Sequence, residues 1–175
     1  IVRIVSPRER PALYAAVVDS SLPLGEAAKL EQSTEHELGA DVIVDDYFDT
    51  TKDGISKLQT MISSEQIDVV IAPPSVFKEL ASYGYFSNLH EALPAAEYGQ
   101  LHAYTEDFRG FDDAQLADDV DDSGSGRGAA EPYGLKLERA GEWHRYADGG
   151  DALVGIVANT KQQANAQRFI DYLYH

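Results

Sequence analysis

Carboxylates dominate the chemistry-bearing groups of this chain, with 30 Asp and Glu against 14 Lys and Arg. Asp119-Val-Asp121-Asp-Ser123-Gly124 supplies oxygens at positions 1, 3 and 5 and glycine at position 6 of a calcium-binding loop. Position 12 is Ala130 where a bidentate Glu would hold the ion, and Glu131 falls one place late. The segment therefore reads as a solvated acidic loop, with calcium as the alternative. His36, His90, His102, His144 and His175 never pair at the i, i+4 spacing of a helical metal site, and each is read as structural or superficial. Cysteine is absent, which removes thiol catalysis and thiolate zinc sites. There is no G-x-S-x-G elbow, and the Gly124 to Gly128 stretch lacks the Lys-Ser/Thr of a phosphate loop. No catalytic constellation, metal site or cofactor is expected, and the chain is read as a protein other than an enzyme.

Binding chemistry is better supplied by the ends of the strands. Ile1 to Val5 alternates weakly and is stopped by Ser6-Pro7, which reads as a short strand, Asp41 to Val44 is β-branched, and Asp68 to Ile71 lies in the most strand-like stretch, Ile67 to Ala72. Between them the spacing predicts helices. Pro11 opens one carrying Leu13, Tyr14, Val17 and Val18, and Gly25 to Leu38 forms a second, closed by Gly39. Ile55, Leu58, Met61 and Ile62 mark a third, and Pro73-Pro74-Ser75 opens a fourth with Val76, Phe77 and Leu80, ending at Gly84. Alternating strands and helices call for parallel strands joined by right-handed crossovers, hence an α/β fold with a largely parallel sheet flanked by helices. Ligands of open α/β sheets bind beyond the carboxyl ends of the strands, beside helix N-termini. Those ends carry Ser6, Asp45, Asp46, Tyr47, Pro74 and Ser75. Tyr47 could stack on a ligand and the aspartates could accept its hydrogen bonds; equally, the aromatics close the core edge and the aspartates cap a turn.

Residues 94 to 134 are rich in Asp, Gly and Ser and are expected to form a helix followed by a loop. Order returns at Tyr133 to Leu137 and at the buried strand Leu153 to Ala158. Asn159 or Thr160 then caps a last helix, with Gln162 placed for a capping box and Phe169, Ile170 and Leu173 facing inward. A formal charge of −16 would repel nucleic acid and anionic membrane surfaces and draw cations. No run approaches the roughly 20 apolar residues of a membrane span.

Ile67-Asp-Val-Val-Ile-Ala-Pro-Pro-Ser-Val-Phe77, followed by Gly84-Tyr-Phe-Ser-Asn-Leu-His-Glu-Ala-Leu-Pro94, resembles the extracellular solute-binding proteins of ABC importers, of the type 2 periplasmic-binding-protein fold. Pro132-Tyr133-Gly134 is similar to their entry into the crossing strand, and Gly155 to Lys161 through Leu173 to their closing strand and helix. The resemblance implies a core lobe from residues 1–94 plus 132–175, with 95–131 an insertion that stands for a reduced second lobe. It implies a small-molecule ligand held without catalysis, with Tyr133 opposite the strand-end residues. An ABC transporter permease would be the partner, and the location would be extracellular or at the cell surface. A lipid anchor ahead of Ile1 would be the only tie to the membrane. A protein-interaction or sensor module that kept the fold and lost transport is the alternative.

Overall fold

The computed structural model describes residues 10–19, 22–111, 125–148 and 150–175. The strand expected at Ile1 to Val5, the site residue Ser6 and the acidic loop at Asp119 to Gly124 lie outside the described residues.

The chain is α/β, and among the described residues six strands form one mixed sheet flanked by helices. The first three strands are β1 (Leu13–Val18), β2 (Val42–Phe48) and β3 (Val69–Ala72). The helices that follow them are α1 (Glu26–Leu38), α2 (Gly54–Ser63) and α3 (Pro74–Ser82). β1 pairs in parallel with β2 on one side and β3 on the other. Gly39 closes α1 with φ 66°, and Pro74 stands in the first turn of α3, where its missing N–H has no helical partner to lose.

The helix expected around Leu13, Tyr14, Val17 and Val18 is instead the strand β1. β1 lies inside the sheet, so both its faces are covered, and Leu13, Ala15, Ala16, Val17 and Val18 are all fully buried. A strand buried on both sides has a continuous apolar run in place of a period-2 alternation, and such a run also fits one face of a helix. β2 is longer than expected, so Asp45, Asp46 and Tyr47 lie within the strand.

The second half of the chain completes the sheet with strands that alternate in direction. β6 (Leu153–Ile156) runs antiparallel to β3, β5 (Ala130–Lys136) antiparallel to β6, and β4 (Thr105–Arg109) antiparallel to β5. The order is β2-β1-β3-β6-β5-β4, so in the sheet expected to be largely parallel three of the five described strand pairs are antiparallel. After the short helix α4 (Leu89–Ala92), the stretch read as helix and loop between residues 94 and 134 forms α5 (Ala95–Leu101) and contributes the edge strand β4 to this same sheet. Charges at Glu106, Asp107 and Arg109 hide β4 from a hydropathy reading, since only Phe108 is buried.

Helices cover both faces. One face packs Leu13, Val44, Ile71 and Val154 against Leu30 of α1, Trp143, and Phe169 and Ile170 of α6 (Gln163–Leu173). The other packs Val18, Val70 and Leu153 against Leu58 of α2 and against Phe77 and Leu80 of α3. Phe77 stacks on Phe86 with ring centroids 4.3 Å apart and meets Phe108 at 5.2 Å. The sheet beneath that cluster is built from Gly155 and Gly134. Each lies one residue beyond the Leu135–Val154 pair of β5 and β6, so the two face each other across the strands. A Cβ on Gly155 would come within 2.6 Å of Phe77 Cζ, and one on Gly134 within 2.9 Å of Phe77 Cε1.

At the start of α6 the expected capping box is absent. Thr160 Oγ1 accepts from Gln162 N at 2.9 Å, ordering the turn before the helix, and the Gln162 side chain makes no cap hydrogen bond. Thr160 also donates to Asp68 Oδ1 at 2.6 Å, which draws its hydroxyl toward β3.

Glu97 of α5 gives the fold a pH dependence. Burial, and secondarily the Asp171 carboxylate of α6, push its carboxyl up to about 7, and Glu97 Oε2 is buried without a hydrogen-bond partner among the described residues. A carboxyl raised on folding favours the folded state while it is protonated, so the benefit is complete below about pH 4.5 and is lost as pH rises through about 7. After discounting for partial exposure, the loss should be about 1–2 kcal/mol. Urea midpoints of the wild type and Glu97→Gln should therefore agree near pH 5 and separate at pH 8, with the Gln variant the more stable. Equal midpoints at pH 8 would contradict the assignment.

Candidate functional site

The carboxyl ends of β1, β2 and β3 share one edge of the sheet with the start of β6, because Ala72 is opposite Leu153. The end of β5 joins them through the Lys136–Leu153 pair, and β4 begins on the same edge with Thr105 opposite Leu135. The strands of the second half thus bring their own residues to the edge where ligands of α/β sheets bind.

A cleft of about 310 Å³ opens there, lined by Pro74, Glu106, Lys136, Glu138, Asp151 and Leu153. Pro74 enters it from the first turn of α3, and Lys136 and Glu138 from the end of β5 and the 3₁₀ turn after it. Three carboxylates and one ammonium group therefore meet in the cleft. Among the described residues, no ion pair or side-chain hydrogen bond links any two of them.

Of the expected residues that are described, only Pro74 lines this cleft. Ser75 is exposed in the first turn of α3. Asp45 is already engaged by the Tyr14 hydroxyl and by Tyr47 N at 2.9 Å. Burial, then Asp45, raise the Tyr14 hydroxyl's pKa, so that hydroxyl keeps its proton and goes on donating. Asp46 is half-buried and lines neither cleft described here. Tyr47 is 82% exposed, and its carbonyl accepts from Lys57 Nζ at 3.1 Å. Tyr133 donates to Glu131 Oε2 at 2.5 Å and lies against Gly110, where an added Cβ would be 2.8 Å from its hydroxyl oxygen. That contact points toward the amino end of β5, away from the cleft. The expected set is therefore dispersed, with Asp45 spent on holding β1 to β2 and Tyr133 on packing β5.

The site residues missed from sequence are Glu106, Lys136, Glu138 and Asp151. Lys136 and Asp151 flank strands whose apolar runs were visible, but their place depended on the direction of β5 and β6. Antiparallel pairing carries no signature in a four-residue buried strand.

A larger cleft, about 590 Å³, lies at the opposite edge between Arg10, Tyr14, Glu65, Asp68, Lys161 and Gln162. Size alone does not make it the better site, because its charged groups already hold the fold together. Asp68 accepts from Tyr14 N at 2.8 Å and from Thr160, and these bonds oppose the burial that raises its carboxyl pKa. Lys161 pairs with Glu65 at 3.0 Å, and Arg10 donates to the Glu65 carbonyl at 3.0 Å. No group of three or more His, Cys, Asp or Glu among the described residues is placed to hold a metal ion. No helix among them is long and apolar enough to cross a membrane. No family model, curated protein or solved structure matches this chain.

Proposed function

We propose that this chain binds a small polar ligand bearing a cationic group, without transforming it, in the cleft at the carboxyl edge of the sheet. The observation that carries the reading is the meeting of Glu106, Glu138 and Asp151 with a single Lys136 in about 310 Å³, in a chain of formal charge −16. Three carboxylates against one ammonium group favour a ligand that brings positive charge, and the protein's overall field raises the local concentration of such ligands. Pro74 and Leu153 offer apolar surface to the rest of the molecule. The resemblance to solute-binding proteins of ABC importers supports placing the chain outside the membrane as a ligand receptor serving a permease.

Thermal unfolding at low ionic strength, against a panel of amines, amino acids, sugars and organic acids, tests the reading. At a hundredfold excess over Kd a specific amine-bearing ligand should raise Tm by about 5 °C or more. Glu138→Gln combined with Asp151→Asn should abolish the rise. A panel without any stabilising compound, or a rise unchanged in the double variant, would sink it. A second reading, a protein-interaction module, is favoured by Tyr47 at 82% and Leu24 at 100% exposure. It expects no small molecule to stabilise the chain, so the same panel separates the two.

A further inference from the structure

Among the described residues, β2 is an edge strand, with β1 on one side and no strand on the other. A free edge presents a row of N–H and C=O groups that a strand from another chain can pair with. Here two of the outward N–H groups are taken. Val44 N donates to Glu31 Oε1 at 2.9 Å and Val42 N to Glu35 Oε2 at 3.3 Å. Both glutamates stand one helical turn apart on α1, which packs Ala27, Leu30 and Leu38 against the sheet, so the helix brings two carboxylates to the edge in register with alternate residues of β2. Two residues along a strand span about 7 Å, and one helical turn rises about 5.4 Å, so a single helix can serve both donors.

We infer that Glu31 and Glu35 are a built-in guard that keeps β2 from pairing with β2 of a second copy of this chain. The segment they protect is Val42-Ile-Val44, a β-branched run that would otherwise suit an isologous strand pair about a twofold axis. Each carboxylate acts twice. It occupies the donor that an incoming carbonyl would need, and it adds to the negative charge of Asp41 and Asp46 on the same segment, which a second copy would have to meet.

Sedimentation of the full chain at roughly 100 µM, with amide exchange read at Val42 and Val44, tests the guard. The wild type should sediment as a monomer. Glu31→Ala with Glu35→Ala, substitutions that suit a helix, should shift the weight-average mass toward twice that of the wild type, with slowed exchange confined to β2. Glu31→Gln with Glu35→Gln retains an acceptor at each position and should stay monomeric. A monomeric Ala variant with native circular dichroism overturns the inference. So does a Gln variant that associates as strongly as the Ala variant, or a wild type already paired through β2. If the Ala variant fails to fold, the wild-type mass and the Gln comparison still decide.

Discussion

Ile71→Asp should leave the chain unfolded at neutral pH and 25 °C. Ile71 is fully buried in β3, flanked by Val17 of β1 and Val154 of β6, so its side chain lies in the middle of the sheet with strands on both sides. The substitution removes an apolar side chain whose loss alone costs about 2–5 kcal/mol. It also places a carboxylate where no cation or donor can reach it, at several kcal/mol more. A domain of this size is stable by about 5–15 kcal/mol, so the two losses together consume most or all of it. Circular dichroism and a urea titration of the purified variant give the answer. Ile71→Val, which keeps the site apolar, should cost only about 0.5–1.5 kcal/mol. A cooperative transition in the Asp variant within about 2 kcal/mol of the wild type would show that the middle of the sheet is wetter or looser than described.

Gly155→Val should be the most damaging change that introduces no charge. The ideal Cβ already lies 2.6 Å from Phe77 Cζ and 3.0 Å from Phe86 Cδ1, and the ring it meets is itself stacked on Phe86. Neither ring can retreat freely, since Phe77 is fully buried and also meets Phe108. Gly155→Ala should cost about 1–3 kcal/mol through overpacking, and Val more, because two further methyl groups enter the same space. The cause can be separated from a backbone effect by pairing the change with Phe77→Leu. If the ring is what the methyl meets, the double variant should be more stable than the sum of the two single losses by about 0.5 kcal/mol or more. Simple additivity would place the strain elsewhere.

The sequence made α1, α2, α3 and α6 legible because each has an apolar stripe and a chemical stop: Gly39 for α1, Pro74 for the opening of α3. The parallel alternation through β3 was legible too, apart from its first member. β1 was taken for a helix because Leu-Tyr-Ala-Ala-Val-Val has no polar position to betray a period of two. β4 was missed for the opposite reason, since three of its five residues are charged and a half-solvated edge strand has little hydropathy to show. The site followed from these two failures. The expected residues lie at the ends of strands read as a largely parallel sheet, whereas the cleft is closed by groups that β4, β5 and β6 bring in from the antiparallel pairings of the second half. Asp45 shows a further limit. Its carboxylate looked free for a ligand, but register places it beside Tyr14, thirty-one residues earlier, and only a pairing between strands reveals that.

The seat of β6 between β3 and β5 also sets the timetable of biosynthesis. During translation β1, β2 and β3 can assemble as soon as they emerge, but β3 then shows Val-Val-Ile-Ala on an uncovered flank until Leu153 to Ile156 arrives some 80 residues later. At ribosomal speeds of about 5–20 residues per second the interval is on the order of ten seconds, long enough for an adhesive strand to meet neighbouring nascent chains. A ribosome stalled anywhere in that interval would release a fragment lacking the strand that seals β3, and such fragments should need chaperones.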